Sequence, residues 1–342
     1  MGSDRKNFGF LVALKSATIL ALIVVFGCSP NSPKLVPPLD QKVERVTGST
    51  EIFNAKVDIL LVVASDSSMS EHDRNLRANA ALFTAEIFKN QFIDYHIGVI
   101  NAMQTEQGLG IPWGGRLNGT TKFVDKSTAS PDQLLIQNLN VGSSADDPVA
   151  LFSVARSALS GPIATNENAG FLRPDAALAV MFISDTDPED GAEPGAADFY
   201  SFLLNLKGGD RRRVFVYAAY DPSPTLSCSG EGPAVMLTGL LELAKPFSFG
   251  FSLCDVDFGK KLGSVSDNIV SNVGRTMYLS RPPATASIKV SYGTQVLPND
   301  ADKGWIFDPG KNAILFGNDI QLDPNQPKGT TVKVDFDAAQ FE

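Results

Sequence analysis

Three oxygen-bearing side chains stand at alternate positions shortly after an apolar run of the chain. Asp66, Ser68 and Ser70 belong to the stretch VDILLVVASDSSMSEH, which begins at Val57. Carboxylates and hydroxyls are the hard oxygen ligands that Mg²⁺, Mn²⁺ and Ca²⁺ prefer. The D-x-S-x-S spacing therefore predicts a divalent-cation site in a loop that follows a buried strand.

A second acidic loop follows another apolar run, ALAVMFI at residues 177–183. Asp185 stands two residues after this run, and Asp187 two residues further on. The segment DTDPEDG, which starts at Asp185, partly matches a calcium-binding loop. Its Gly comes one residue late and no Glu closes it. Asp185 is therefore expected to act with the first loop, with Asp187 as a further ligand or a neighbour of the ligands.

Apolar runs alternate with helical patterns along most of the chain. We predict strands at 57–63, 95–100, 177–183 and 214–220, and helices at 70–89, 148–159, 196–206 and 257–273. This alternation indicates an α/β fold with a doubly wound, mainly parallel sheet and helices on both faces. The two acidic loops should then share the carboxyl edge of the sheet, where such folds bind ligands. Residues 277–279 are expected to close this sheet.

The N-terminus has the pattern of an export signal. Arg5 and Lys6 precede an apolar run at residues 17–26. A membrane-spanning helix is the alternative, but the run is short and no basic flank follows it. The residues from Val25 to Cys28 resemble a bacterial lipobox, which implies cleavage before Cys28 and attachment of lipid to it. Ser29, a residue other than Asp directly after the Cys, resembles an outer-membrane sorting signal of Gram-negative bacteria.

The remaining composition defines further parts of the chain. We predict a signal peptide at 1–27, a lipidated Cys and flexible tether at 28–50, the α/β domain at 51–282, and a small β module at 283–342. An ordered arm is the alternative for the tether. If Cys28 is lipidated, Cys228 and Cys254 are left to form a disulfide in an oxidising compartment, or to remain as two buried thiols. A net charge of -9 disfavours nucleic-acid binding.

The chain resembles bacterial lipoproteins that carry a von Willebrand factor A domain. The resemblance rests on VDILLVV, SSMSEHDRNL, DYHIGVI, VGSSADDPVALFSVARSAL, FLRPDAALAVMFISDTD, FSLCDVDFGKKL and GWIFDPGKNAILF. In that family a buried strand ends in a D-x-S-x-S metal site called MIDAS, a later loop adds a Thr, and a middle strand adds an Asp. The resemblance implies Ser143 or Ser144 at the Thr position and Asp185 as the added Asp.

The first motif departs from the family pattern. Counted from the strand, Ala64 stands where the family has Asp, Asp66 replaces the first Ser, and Ser68 matches the second Ser. A second register takes Asp66, Ser68 and Ser70 as the motif, but it needs two extra residues after the strand. Two interpretations follow from the first register. Asp66 restores the lost charge and the site holds Mg²⁺ or Mn²⁺, with Ca²⁺ as an alternative, or the site is empty and Asp66 caps the next helix.

These features predict a lipid-anchored protein of the cell envelope that binds or adheres to another protein or to a surface. Its ligand would offer a carboxylate to the metal edge. A structural scaffold with an inactive metal site is the alternative. An enzyme is not expected, because the chain has two histidines, His72 and His96, and lacks the common hydrolase and nucleotide-binding motifs.

Overall fold

A six-stranded, mainly parallel sheet organises the larger part of the molecule. The computed structural model describes residues 48–102, 114–142, 149–188, 194–222, 233–327 and 329–339. All of them belong to one compact unit, Val46–Glu342. The predicted signal peptide, Cys28 and nearly all of the predicted tether lie outside the described residues.

The described residues form thirteen strands and seven α-helices. The strands are β1 (Ser49–Ile52), β2 (Lys56–Val63), β3 (Asp94–Asn101), β4 (Phe123–Val124), β5 (Ala177–Ile183), β6 (Val214–Tyr220), β7 (Ser248–Ser252), β8 (Thr276–Tyr278), β9 (Lys289–Tyr292), β10 (Gln295–Val296), β11 (Trp305–Asp308), β12 (Ala313–Phe316) and β13 (Val332–Phe336). The helices are α1 (Ser70–Lys89), α2 (Pro131–Asn138), α3 (Leu151–Leu159), α4 (Gly161–Thr165), α5 (Ala196–Leu206), α6 (Val235–Ala244) and α7 (Phe258–Ile269). Short 3₁₀ helices span Arg211–Arg213 and Thr285–Ser287, and a π-helical turn, Val270–Gly274, extends α7.

The large sheet has the strand order β4-β3-β2-β5-β6-β7, and only β4 runs antiparallel to its neighbour. Strands β2, β5 and β6 are buried almost throughout, as strands covered on both faces must be. The predicted α/β fold with a mainly parallel sheet is confirmed. From β2 the chain moves outward to β3 and β4, and then crosses back to β5. The strand order therefore reverses between β2 and β5, and such a reversal opens a crevice at the carboxyl edge.

Helices cover both faces, because right-handed crossovers on the two sides of the reversal leave the sheet in opposite directions. Helix α1 packs against α7, while α5 packs against α6 and α3. The predicted apolar stripe of α1 is buried. Its members are Leu76, Ala80, Phe83 and Ile87. This packing fixes the start of α1, and with it the loop that connects β2 to the helix.

A charged network lies near the amino ends of β2 and β3. The buried Asp58 carboxylate accepts the backbone N–H and the Nε–H of Arg173, both at 2.7 Å, and Arg173 also reaches Asp94 at 2.8 Å. The buried Lys207 ammonium donates to the Arg173 carbonyl at 2.7 Å. Burial raises the pKa of Asp58 against the pull of Arg173, and burial lowers the pKa of Lys207 to about 8. This network joins β2, β3, the loop before β5 and the C-terminal end of α5 at the edge opposite the crevice.

The smaller strands form two antiparallel sheets. One has the order β1-β13-β9-β10 and the other β11-β12-β8. The prediction that residues 277–279 close the large sheet is wrong, since β8 pairs with β12 instead. Strand β1 begins at Ser49, inside the range predicted as a tether, and joins the last strand of the chain. The predicted C-terminal β-strands are thus present. They pair with one strand from each end of the α/β region, β1 and β8.

Within the described part of the chain, no helix has both the length and the apolar character needed to cross a membrane.

Candidate functional site

The loop after β2 brings Asp66 and Ser68 together. Ala64 is fully buried and continues the ladder by donating its N–H to the Ile183 carbonyl at 2.9 Å. The Ser68 hydroxyl donates to Asp66 Oδ2 at 2.9 Å, and the buried Met69 anchors the loop beside them. Asp66 Oδ1 is buried and has no hydrogen-bond partner among the residues that the structure describes. A carboxylate oxygen is therefore held in place with its lone pairs unused.

Ser70 is directed elsewhere. It is the first residue of α1, and its hydroxyl donates to the Ser67 carbonyl at 2.8 Å. The residue directly after β2 is Ala64, the position at which the resemblance places the first family Asp. Asp66 and Ser68 therefore belong to the loop in either register, whereas the Ser70 hydroxyl closes the turn that leads into the helix.

Asp66 does not cap α1. The N-cap residue of this helix is Met69, whose side chain makes no capping hydrogen bond, and in the described part of the chain the Asp66 carboxylate accepts no N–H of the helix. The expectation that Asp66 serves as a helix cap in an inactive site is therefore wrong. The interaction seen for the Asp66 carboxylate is with Ser68 on its own loop.

The second acidic loop leaves the neighbouring strand at the same edge. Strands β2 and β5 pair in parallel up to Val63 and Ile183, so their following loops diverge side by side. Asp185, two residues after β5, is fully buried. Ser184 shapes the loop by donating its hydroxyl to the Thr186 carbonyl at 2.8 Å. The two predicted acidic positions, Asp66 and Asp185, thus flank the point where strand order reverses. We call this place the switch-point crevice.

A third connection is fastened to the crevice through Asn101, the last residue of β3. The Ser65 hydroxyl donates to Asn101 Oδ1 at 2.8 Å, and Asn101 Nδ2 donates to the Val141 carbonyl at 3.0 Å. Ala150 donates its N–H to the Ala102 carbonyl at 2.7 Å. Val141 and Ala150 flank the predicted ligands Ser143 and Ser144, which lie outside the described residues. The described flanks of that segment are therefore bonded to the crevice edge.

Asp187 has a structural partner. Its carboxylate accepts the N–H of Met236 at 2.9 Å and that of Leu237 at 3.3 Å, at the N-terminus of α6. Free N–H groups and the helix dipole both favour an anion at that position. Asp187 therefore ties the loop after β5 to α6, and its carboxylate is already engaged.

Further ionisable groups surround Asp66. The pKa of Asp73 on α1 is raised to about 6, chiefly by burial and also by the nearby charge of Asp66, against the lowering effect of Arg77. Burial lowers the pKa of His72, while the carboxylates of Glu71, Asp221 and Asp66 act in the opposite direction. The crevice is therefore rich in negative charge, as a cation site requires.

Several of these residues were not predicted as parts of the site. Asp221 is fully buried and is the first residue after β6, so the rule that singled out Asp185 after β5 would have found it too. The sequence does not single out Ser65 and Asn101, because the hydrogen bond between them forms only when β2 pairs with β3. Asp73 is one of several polar residues of α1, and only its burial distinguishes it.

The donor set is suited in part to a hard divalent cation. Asp66 offers an unused carboxylate oxygen, Ser68 offers a hydroxyl, and both are ligand types for Mg²⁺, Mn²⁺ and Ca²⁺. Among the residues that the structure describes, no three His, Cys, Asp or Glu side chains converge as a metal cluster. A site here would therefore depend on hydroxyl ligands beside its carboxylates.

The predicted disulfide is described at one end. Cys254, two residues beyond β7, is disulfide-bonded. Cys228 and Cys28 lie outside the described residues, so the pairing of Cys228 with Cys254 stays a prediction.

Comparisons with known proteins give structural neighbours only. No family model and no curated protein matches the chain. The pilus adhesin SpaC of Lactobacillus rhamnosus GG, in its open conformation, is 12% identical with a TM-score of 0.41, over 82% of this chain and 38% of the adhesin. A von Willebrand factor type A protein from Catenulispora acidiphila is 10% identical with a TM-score of 0.35, over 86% of this chain and 65% of that protein.

Proximal thread matrix protein 1 from the mussel byssus is 12% identical with a TM-score of 0.39, over 69% of this chain and 52% of that protein. The chain thus spans less than two thirds of the length of each of these solved proteins. At such scores the overlap does not assign a function, and a role has to be argued from the crevice itself.

Proposed function

We propose that this protein is a binding or adhesion protein of the von Willebrand factor A type, and that it holds its ligand at the switch-point crevice. The observation that carries the proposal is the Asp66–Ser68 pair, which leaves a buried carboxylate oxygen unused beside the loop of buried Asp185. Open α/β sheets bind ligands at this place.

Asp66, Ser68 and Asp185 would hold Mg²⁺ or Mn²⁺, with Ca²⁺ as an alternative, and Ser143 or Ser144 would add a hydroxyl. When bound, the ion would offer an open coordination position to a carboxylate of the ligand. The chain's own contribution is to fix the oxygens. Met69 anchors the first loop in the core, and Asn101 joins that loop to the Val141 segment.

We further propose that Cys28 carries lipid and holds the protein at the outer membrane of the cell envelope. The support is the basic start, the short apolar run and the Val25–Cys28 pattern of the sequence. Acyl chains contribute about 0.8 kcal/mol per buried methylene, so several chains give a firm attachment. The ligand itself would be a protein or a cell surface that presents carboxylates.

A scaffold function without a cation is the second candidate. Two observations favour it. The Asp187 carboxylate accepts a backbone N–H at the start of α6, and no three His, Cys, Asp or Glu side chains among the described residues form a metal-binding group. In that case the loops after β2 and β5 would only support the fold, and ligand binding would not respond to divalent ions.

Binding to a matched pair of immobilised peptides separates the two candidates. One peptide carries Glu and the other carries Gln at the same positions, and each is tested in Mg²⁺, in Mn²⁺ and in EDTA. We expect ion-dependent binding to the Glu peptide, lost in Asp66→Asn and kept in Asp267→Asn, which removes an exposed carboxylate of α7. Equal binding in EDTA, or no preference for Glu, would reject a cation-mediated function.

A further inference from the structure

A second surface of the protein lies where two small sheets end in edges that no described strand pairs with. Strand β1 is the outer strand of one sheet and β8 is the outer strand of the other. Both border a groove of about 420 Å³, whose lining includes Ile52, Thr276 and Tyr278. We call it the edge groove. It is separate from the switch-point crevice, and no residue predicted for the cation site lines it.

The hydrogen-bond registers show which backbone groups face the groove. Phe53 donates to the Val332 carbonyl, so alternate residues of β1 bond to β13 and Ile52 between them points its N–H and C=O outward. On β8, Leu279 donates to the Asn312 carbonyl and Phe316 donates to the Arg275 carbonyl.

By the same alternation, Thr276 and Tyr278 point their backbone groups away from β12. Two rows of outward peptide groups therefore border one groove. Unpaired edges of this kind are templates for an added strand.

At one end of the groove, an outward N–H of the segment that follows β8 already has a hydrogen-bond partner. Ser280, the next outward position after Tyr278, donates its N–H to Glu51 Oε1 at 3.0 Å. The two edges are therefore bridged there by a single side chain of β1. Further along, the outward groups of Thr276 and Tyr278 have no backbone partner among the described residues.

The charges of the groove indicate what kind of strand would fit. Lys56 is paired with Asp175, and Arg212 is paired with Asp210 at 2.8 Å. Within the described part of the chain, Glu51 has no cation within ion-pair distance. Among the described residues Arg213 likewise has no carboxylate within that distance, and its guanidinium donates to the backbone carbonyls of Pro174 and Ala176. One anion and one cation of the lining are thus left for a ligand to neutralise.

We propose that the edge groove binds an extended segment of a partner protein by β-strand addition. The segment would bond to the outward peptide groups of β1 and β8, present a basic side chain to Glu51, and present an acidic side chain to Arg213. An apolar or β-branched residue between them would pack on Ile52, which is 58% exposed. This proposal does not depend on a cation at the crevice.

The test uses the full chain and a panel of labelled peptides of about six residues. Each peptide combines Val and Thr with one Lys and one Glu at varied spacing, and each has a counterpart whose backbone is N-methylated at alternate residues. We expect at least one unmodified peptide to bind with Kd below about 1 mM, and its N-methylated counterpart to bind at least roughly tenfold more weakly.

Two proline variants give a matched comparison. Ile52→Pro removes an outward N–H of β1, and Val296→Pro removes the outward N–H of β10 at the opposite edge of the same sheet; both residues are 58% exposed. Proline is tolerated at edge positions of this kind. We expect Ile52→Pro to weaken peptide binding roughly tenfold and Val296→Pro to leave it unchanged.

Three results would overturn the proposal. The first is no binding by any peptide at about 1 mM. The second is equal binding by the N-methylated peptides, a readout that holds even if Ile52→Pro fails to fold. The third is dimerisation of the chain in sedimentation experiments that is abolished by Ile52→Pro, because the edge would then pair with a second copy instead.

Discussion

The Ser65 hydroxyl donates a hydrogen bond to the Asn101 side-chain oxygen at 2.8 Å, and so joins the ends of two neighbouring strands. The Asn101 side-chain nitrogen in turn donates a hydrogen bond to the Val141 carbonyl. The loop that carries Asp66 and the segment that leads to Ser143 are thereby fastened to one residue. The positions of the proposed ligands follow from this side chain as much as from the sheet.

Removing that hydroxyl should loosen the crevice. We expect Ser65→Ala to lower the free energy of unfolding by about 1–2 kcal/mol, because the substitution removes the hydroxyl that donates to the Asn101 side-chain oxygen. Denaturant unfolding measures the change. Ser67→Ala, at an exposed position two residues away, is the control and should be nearly neutral. Equal stability of the two variants would show that the Asn101 connection contributes nothing.

The Asp187 carboxylate should act as the cap of α6. We expect Asp187→Ala to destabilise the fold by about 1 kcal/mol and Asp187→Asn to cost less, because an amide oxygen can still accept the N–H of Met236. Thermal unfolding at matched pH measures both. If Asp187→Asn and Asp187→Ala were equally stable, capping would not be the role of this side chain.

Lys207 should make stability depend on pH. Its pKa in the fold is about 8, below the value of 10.5 for a free side chain, so the unfolded chain binds more protons between these limits. The free energy of unfolding should therefore rise with pH, by about 2 kcal/mol from this group between pH 8 and about 10. Lys207→Met should lose this rise, and Lys260→Met, at an exposed site on α7, should keep it. Parallel pH profiles for wild type and Lys207→Met would contradict the assignment.

Two glycine-to-alanine substitutions should change the free energy of unfolding in opposite directions. A Cβ on Gly98 in β3 would stand 2.5 Å from a Leu117 methyl carbon and 2.9 Å from the Phe171 ring, so Gly98→Ala should destabilise by about 1–3 kcal/mol. A Cβ on Gly263 in α7 would lie at an ordinary contact distance of 3.6 Å. Gly263→Ala should therefore stabilise the helix by about 0.5–1 kcal/mol. If the two substitutions changed the free energy of unfolding equally, the side chains around Gly98 would be able to shift and make room for a methyl group.

The large sheet could be predicted from sequence because its central strands are continuous apolar runs. The predicted ranges for β5, β6, α1 and α5 agree with the structure residue for residue. Strand β7 could not be found in this way, since it is partly exposed and its sequence, SFGFS, has no buried run. Helix α6 was missed although Leu237, Leu240, Leu241 and Ala244 are buried at helical spacing, because the exposed apolar residues Val235 and Leu243 obscure that stripe in the sequence.

The site was predicted as a set of positions and not as a set of contacts. Burial of the apolar runs fixes where Asp66 and Asp185 leave the sheet, so their shared edge followed from the pattern. The use of Asp187 by α6 could not be seen, because α6 lies about fifty residues further along the chain. For the same reason β8 was assigned to the wrong sheet, since its partner β12 comes later in sequence.

The most direct test of the central claim is a calorimetric titration of the chain with Mn²⁺ and Mg²⁺. An ion held by Asp66, Ser68 and Asp185 should bind saturably and raise the melting temperature, since ligands of the folded state stabilise it. Asp66→Asn and Asp185→Asn should each abolish the binding, while Asp267→Asn should retain it. Absence of saturable binding at millimolar ion, or binding that survives both substitutions, would contradict a cation site at the switch-point crevice.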